Sequence, residues 1–135
     1  MLMKNLLIDT NIFVYALDKD SKYYPIASDI LLNPKYQCFT TSKNICELCA
    51  VASKLKIDKK LLKLYILEIR ENVNFLFPNS ISQDLFFDLF YKYSPIGNQV
   101  FDIEVVSIML DNKIETIATL NKKDFENIEE IEILS

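Results

Sequence analysis

The sequence predicts an α/β fold: one domain with a parallel sheet of four or five strands and helices on both faces. Short apolar or β-rich runs alternate along the chain with segments whose apolar residues recur every three or four positions. Strands separated by helices pair in parallel through right-handed crossovers. A chain of 135 residues, half of them apolar, can bury one ordinary core, so residues 1–135 are predicted to form one domain.

The first half of the chain begins with a buried strand. Leu6, Leu7 and Ile8 form an apolar run typical of a strand covered on both faces. Pro25 stands where the first turn of a helix tolerates proline. The predicted elements of this half are a strand over 6–8, a helix from 12, a helix over 25–32, a strand over 36–41 and a helix capped by Ser42, with core positions Ile45, Leu48, Cys49, Ala52 and Leu55.

The second half continues the alternation. A helix from Asp58 through Arg70 is predicted to face the core with Leu61, Leu62, Tyr65, Ile66 and Ile69. The later elements are a strand over 73–77, an aromatic helix over 84–93 with Ser80 and Gln83 as its capping box, a helix ending at 112, a strand over 115–120, a turn or short helical segment over 121–125 and a strand over 131–134. Aromatic side chains at helical spacing indicate core or a partner interface rather than a base-stacking platform.

Composition excludes several kinds of site. Histidine is absent, which rules out Ser-His-Asp and Cys-His nucleophile systems, and Gly97 alone cannot build a glycine-rich phosphate loop. Cys38, Cys46 and Cys49 are odd in number, so Cys46 and Cys49 are predicted to be buried helical thiols rather than a disulfide or zinc pair. No apolar run reaches the length of a spanning helix and no signal peptide is evident, which indicates a cytoplasmic protein without a membrane anchor.

Carboxylates stand where the predicted strands end and the helices begin. Asp9 follows the first strand, Glu47 lies early in the helix after the second, and Asp102 lies near the start of the helix before the fourth. Asn121 and Asp124 follow the fourth strand. In a parallel sheet these positions share one edge, where ligands bind. Each also has a local explanation, because Asp9 and Asp124 suit helix caps, Asp102 suits a helix dipole, and Glu47 suits a solvated face.

Four segments together resemble a known family. IDTNIFVYAL, TTSKNICEL, FDIEVVSIML and TIATLNKKDF, in this order and spacing, are similar to the PIN-domain family, and most closely to its VapC-type toxin ribonucleases. The resemblance runs from Leu6 to Leu134. It implies a metal-dependent endoribonuclease with Asp9, Glu47 and Asp102 as the principal acids around Mg²⁺ or Mn²⁺. Asn121 stands where many relatives have a fourth acid, with Asp124 one turn further on.

The chemistry of these residues agrees with that implication. Clustered carboxylates repel one another, and Mg²⁺ prefers one or two carboxylates together with water and substrate phosphate. We expect Asp9 and Asp102 to be direct ligands, and Glu47 to bind through water or orient the nucleophile. Hydrogen bonds to ligands or phosphate are expected from Thr10, Asn11, Thr119 and Asn121, and phosphate contacts from Lys122 and Lys123. The net charge of −4 is unusual for an RNA-binding protein, although residues 40–70 are locally basic.

The resemblance also implies partners, and other functions stay open. It implies a cognate antitoxin that covers the site or its neighbourhood, and a homodimer that could use the apolar surfaces of the helices predicted over 58–70 and 84–93. A PIN-like module without catalysis, binding RNA or protein, is the alternative that Asn121 supports. An aspartyl-phosphate enzyme ranks last, because such a site needs an acid two positions after Asp9 and the chain has Asn11 there.

Overall fold

The computed structural model describes residues 2–134 and shows one α/β domain. In chain order, its elements are β1 (Lys4–Ile8), α1 (Thr10–Tyr15), α2 (Tyr24–Leu32), β2 (Tyr36–Thr41), α3 (Ser42–Lys54), α4 (Lys59–Asn72), β3 (Asn74–Leu76), α5 (Ser80–Tyr93), α6 (Gln99–Asp111), β4 (Thr116–Ala118), a 3₁₀ turn (Lys122–Asp124) and β5 (Glu132–Ile133).

The five strands form one parallel sheet in the order β3-β2-β1-β4-β5. The buried β1 lies at its centre, with Leu6 opposite Cys38 of β2 and Ile8 opposite Ala118 of β4. The chain order therefore reverses on either side of β1, and the crevice beside its carboxyl end is where ligands bind in such sheets. The predicted α/β fold with a parallel sheet is confirmed.

The core has two parts because successive side chains of β1 point to opposite faces. Leu7 lies in one cluster with Val106 and Met109 of α6, and Leu6 and Ile8 lie in the other, beneath α1 and α3. All three β1 side chains are fully buried. Helices thus cover both faces of the sheet, which explains the unbroken apolar run in β1.

Several details differ from the sequence predictions. Leu55 and Leu61, predicted as core, are 61% and 53% exposed, because Leu55 lies at the end of α3 and Leu61 on the outer side of α4. Cys46 is exposed rather than buried, and all three cysteines are free thiols. The helix predicted from 84 begins at Ser80, and its capping box is formed by Asn79 and Ser82 instead of Ser80 and Gln83.

Within 2–134, no helix is both long enough and apolar enough to cross a membrane.

Candidate active site

Asp9 is fixed in place by both the sheet and the first helix. Its backbone N–H donates to the carbonyl oxygen of Ala118 at 3.0 Å, which ties the end of β1 to β4. Its side chain caps α1 by accepting a hydrogen bond from the Thr10 N–H at 2.9 Å. The Asp9 carboxylate therefore both caps α1 and lines a cavity, two roles that the sequence had left as alternatives.

The carboxylate of Asp9 accepts three further hydrogen bonds from side chains. Thr119 Oγ1 and Asn11 Nδ2 donate to Oδ2 at 2.8 and 3.2 Å, and Asn44 Nδ2 donates to Oδ1 at 3.2 Å. Thr119 comes directly after β4, so the two central strands together hold the acid. The predicted residues Asn11 and Thr119 thus contact Asp9 itself.

Asn44 is a site residue that the sequence analysis missed. It is 1% exposed, accepts from Thr41 Oγ1 at 2.6 Å, and donates to both Asp9 and Thr10. Thr41 and Asn44 form the capping box of α3, and their Thr-x-x-Asn spacing was the available signal. The cap that starts α3 therefore also orients the acid at the end of β1.

Glu47 lies one turn after Asn44 on α3. The hydroxyl of Thr10 lies 3.3 Å from Glu47 Oε2 and 3.3 Å from the Asn44 carbonyl oxygen, and is placed to donate to either. Buried Thr10 thereby links the first helix to the second acid.

Four acids line a common space at this edge of the sheet. Asp9, Glu47, Asp102 and Asp124 border two adjoining cavities of about 580 and 510 Å³. The larger, here called the apolar cavity, is further lined by Thr10, Asn11, Val14, Tyr15, Leu17, Asp18, Val51, Leu55, Ile57 and Asn121. The smaller, here called the polar cavity, is further lined by Lys43, Asn44, Asn98, Gln99, Phe101, Glu104 and Val105.

The acids affect one another electrostatically. Burial raises the pKa of Asp102 to about 7, and the charges of Asp124, Asp9 and Glu47 add to this effect. Burial also raises the pKa of Asp9 and of Glu47, again with a contribution from Asp124. Hydrogen bonds from Thr119 and Thr10 oppose the shift at Asp9. Negative charge is therefore concentrated here beyond what the chain itself neutralises.

The donor set is suited to a hard divalent cation. All four acids offer carboxylate oxygens, and Asn121 on the same cavity offers an amide oxygen. Across residues 2–134, no three His, Cys, Asp or Glu side chains are close enough to form a complete metal site by themselves. Mg²⁺ does not require such a cage, because it keeps several waters and takes one or two carboxylates.

The two lysines predicted to contact phosphate do not line the cavities that the four acids border. Lys122 lines a separate cavity between α2 and the end of β4, together with Pro25, Asp29 and Thr119. Lys123 is exposed and lines neither cavity that the four acids border. Lys43 lines the polar cavity instead, with its ammonium group 3.6 Å from Glu104. A residue of the short 3₁₀ turn can be close to Asp124 along the chain and still have a side chain that lines a different cavity.

Comparison with solved structures shows a shared fold. VapBC2 from Rickettsia felis, bound to a DNA fragment from its promoter, has a TM-score of 0.75 at 20% identity, covering 96% of this chain and 97% of that one. A toxin–antitoxin complex from Klebsiella pneumoniae has a TM-score of 0.69 at 18% identity and 96% coverage of both chains. VapC20 from Mycobacterium tuberculosis, a sarcin–ricin loop cleaving toxin, has a TM-score of 0.72 at 8% identity, covering 93% of this chain and 98% of that one.

Sequence comparisons identify the family. A search of curated proteins finds no match to this chain. The profile of one family, described as the PIN domain, matches residues 6–131, which contain the last three residues of β1, the strands β2 to β4 and all four acids of the site. The chain therefore belongs to the PIN domain family.

Proposed function

We propose that the protein is a metal-dependent endoribonuclease and the toxin of a toxin–antitoxin pair. The observation that carries this proposal is the cluster of Asp9, Glu47, Asp102 and Asp124 around one space beside the central strand. Family membership and a structural neighbour named as a sarcin–ricin loop cleaving toxin support RNA as the substrate. The absence of histidine leaves carboxylates as the groups that can hold a cation and move protons.

Each acid has a proposed role. Asp9 and Asp102 would hold Mg²⁺ or Mn²⁺ directly, and Asp124 and the Asn121 amide would offer further oxygen atoms from the same cavity. A bound cation would lower the pKa of water and neutralise charge that develops on the phosphate. Glu47 would orient the attacking water and accept its proton at a carboxylate oxygen, a role that a raised pKa favours.

The experiment is cleavage of structured and single-stranded RNAs by the purified protein with Mg²⁺, Mn²⁺ or EDTA. We expect cleavage only with a cation, and a loss of about 100-fold or more in Asp9→Asn and Asp102→Asn. Asp88→Asn is the matched control, since this exposed acid on α5 borders neither cavity. The rise in melting temperature on adding the cation measures cation binding separately from cleavage. Both site variants should reduce this rise.

The outcome also decides the alternative function. A folded protein that binds the cation and RNA but cleaves no RNA would be a PIN domain that serves as a binding module. Asn121 in place of an acid favours that alternative, whereas Asp124 on the same cavity still supplies a fourth carboxylate. Cleavage in EDTA, or full activity of both site variants, would contradict the proposed mechanism.

We propose that a cognate antitoxin covers the apolar cavity. Val51, Leu55 and Ile57 lie beside the acids, and Leu55 is 61% exposed. A partner segment that carries apolar side chains next to a basic one would complement this surface. Leu55→Glu should weaken binding of the purified antitoxin at least about tenfold, measured by calorimetry, because it buries an unpaired charge. Leu32→Glu, 79% exposed on α2, is the control.

We further propose that the protein is a homodimer. Exposed apolar side chains on α4 and α5 are available for a second copy, namely Leu61, Leu64, Leu67, Ile81, Phe87 and Tyr91. Apolar surface of this kind is typical of partner contacts.

A further inference from the structure

Phe101 is an aromatic side chain without a place in the core. It lies in the first turn of α6 and is 63% exposed, whereas Ile103, Val106 and Met109 of the same helix are at most 3% exposed. Its ring borders the polar cavity beside Asp102. Exposing a phenyl ring to water forgoes about 2 kcal/mol of burial free energy, which a ligand that covers the ring would recover.

The aromatic residues of α5 behave differently. Phe86 packs against Phe87 and Phe90 with ring centroids 5.5 and 5.9 Å apart, and Phe90 packs against Tyr91. Among residues 2–134, Phe101 takes part in none of the aromatic pairs. Its ring is therefore available to stack on a planar group that enters the polar cavity.

Asn98 adds an uncommitted polar group on the same cavity. It is the N-cap residue of α6, yet its side chain makes no capping hydrogen bond. An asparagine at this position ordinarily accepts from the N–H groups of the first turn. Here a backbone carbonyl accepts one of these hydrogen bonds instead, because the Phe101 N–H donates to the Asn98 carbonyl oxygen at 3.1 Å. The exposed amide is free of the cap and faces a cavity shared with Phe101.

Lys43 is the basic residue among the described residues that line this cavity. Its ion pair with Glu104 is long, at 3.6 Å, and half of the lysine side chain is exposed. Such a pair contributes about 1 kcal/mol or less, so the ammonium group can move to a phosphate at small cost. Phe101, Asn98 and Lys43 thus bring an aromatic ring, an amide and an ammonium group to one cavity, which the four acids also border.

We propose that the polar cavity is a nucleoside subsite, in which Phe101 stacks on an unpaired base, Asn98 hydrogen-bonds the edge of that base, and Lys43 contacts the adjoining phosphate. This inference rests on the proposed ribonuclease function and defines the form of its substrate. The base beside the cut must be free of pairing, in a single strand or a loop. A regular duplex keeps its bases stacked on one another and cannot supply it.

The test is binding of a short single-stranded RNA that carries 2-aminopurine, with Ca²⁺ as the cation. Fluorescence anisotropy gives the Kd, and quenching of 2-aminopurine reports stacking. We expect Phe101→Ala and Phe101→Leu to raise the Kd roughly tenfold and to abolish the quenching, since stacking on one aromatic side chain carries a difference of that order. Phe101→Tyr should retain both, because it keeps the ring.

Phe77→Ala is the matched control, because Phe77 is 62% exposed but does not border the polar cavity. It should leave the Kd and the quenching unchanged. A blunt RNA duplex is expected to bind weakly, with the same Kd for the wild type and for the Phe101 variants. Phe101→Ala with wild-type Kd and quenching would overturn the subsite. So would an altered oligomeric state of Phe101→Ala in sedimentation, which would place the ring between copies of the chain.

This binding experiment, together with the cleavage assay, separates the inference from the proposed function. A wild-type protein that cleaves RNA while Phe101→Ala keeps the wild-type KM and Kd would leave the ribonuclease in place and remove the subsite. A wild-type protein that binds and quenches but does not cleave would retain the subsite in a binding module. A protein that does not bind RNA at all would remove both.

Discussion

The carboxylate of Asp9 is held by four donors, and a carboxylate offers about four lone-pair sites. The donors are the Thr10 N–H at 2.9 Å, the Thr119 hydroxyl at 2.8 Å, and the amides of Asn11 and Asn44 at 3.2 Å. A cation that binds Asp9 therefore replaces one donor, and the longer amide bonds are the weaker ones. These contacts fix the orientation of the acid and would at the same time tune its affinity for the proposed cation.

Asn44 should be important for stability as well as for the site. Asn44→Ala removes the capping-box partner of Thr41 and one donor to Asp9 in a buried region. We expect the free energy of unfolding to fall by about 2 kcal/mol in urea denaturation. Asn72→Ala, at an exposed amide on α4, should change it by less than about 0.5 kcal/mol. An equal effect of the two variants would contradict the proposed role of Asn44.

Asp102 should make the metal-free protein less stable as the pH rises. Burial and neighbouring acids raise its pKa from 3.8 to about 7, so the folded protein holds a proton that the unfolded chain releases. This contribution is complete below pH 3.8 and is lost as the pH rises towards 7. In EDTA, Asp102→Asn should match the stability of the wild type near pH 4 and exceed it by about 1–2 kcal/mol at pH 8. This difference is smaller than the full pKa shift corresponds to, because solvent screens the partly exposed carboxylate.

Thermal denaturation of wild type and Asp102→Asn across that pH range measures the difference. Comparing the two proteins cancels the opposite contribution of Glu130, whose pKa is lowered by hydrogen bonds from Tyr93 and Lys92 against the effect of burial. A difference that does not vary with pH would contradict the raised pKa. Addition of Mg²⁺ at pH 8 should stabilise the wild type more than Asp102→Asn.

At the scale of elements, helix α6 is largely buried, although it carries Asp102 of the proposed site. It packs against α5 and the sheet, and Val105, Val106, Ile108 and Met109 are buried. Apolar residues on nearly all sides leave its first turn as the part that reaches the cavities. A rigid, buried helix thereby presents Asp102 and Phe101 from a fixed end.

Three helices end in a left-handed residue that is not glycine: Ser94 at the end of α5 and two lysines. Lys56 after α3 and Lys113 after α6 have φ of 57° and 58°. In each case the next residue completes a Schellman motif, through Ile57 N–H to Ala52 O at 3.0 Å and Ile114 N–H to Met109 O at 2.9 Å. A side chain in this conformation costs about 1–2 kcal/mol.

Glycine at these ends should therefore stabilise the protein. Lys113→Gly should raise the free energy of unfolding by about 0.5–1 kcal/mol, because relief of strain exceeds the added entropy of the unfolded chain. Combining it with Lys56→Gly should add a similar amount, since the two sites are independent. Lys63→Gly, at an exposed position in the interior of α4, should lower stability by about 1 kcal/mol. Urea denaturation measures all three, and a loss of stability at Lys113→Gly would contradict the interpretation.

At the scale of the whole molecule, the alternation of apolar runs and helical segments along the chain predicts a parallel sheet. It does not predict which side chains contact one another. The apolar run of β1 and the alternation with helices predict parallel strands, and parallel strands bring Asp9 and Asp102 to one edge. Helical spacing likewise predicts which side of α4 faces inward, and Ile69 is buried as expected. Leu61 is exposed because periodicity does not show how far along a helix the neighbouring layer extends.

Contacts within the site were harder to predict for the same reason. Asn44 resembles an ordinary cap, and only the fold brings that cap within hydrogen-bonding distance of Asp9. Lys123 is close to the acids along the chain, whereas Lys43 is close in space. Proximity across elements depends on packing, which a single sequence without its fold does not specify.

The distribution of charge indicates which face forms the proposed homodimer. In a two-fold dimer each patch meets its own copy, so like charges around the patch repel. Basic residues outnumber acids around the exposed leucines of α4, with Lys59, Lys60, Lys63 and Arg70 against Glu68 and Glu71. The exposed face of α5, with Phe87 and Tyr91, is flanked by acids and by Lys92 and is closer to neutral. We therefore expect α5 rather than α4 to meet the second copy.

Sedimentation equilibrium at micromolar concentration tests this prediction. Wild type should sediment as a dimer, and Tyr91→Glu should shift it to monomer, because the new carboxylates would face each other across the two-fold axis and lose their hydration. Leu64→Glu is the matched variant on α4, with 66% exposure against 74% for Tyr91. It should leave the dimer intact. The reverse result would move the interface to α4, and a monomeric wild type would remove the dimer, so that the exposed aromatic face of α5 would have to serve another partner.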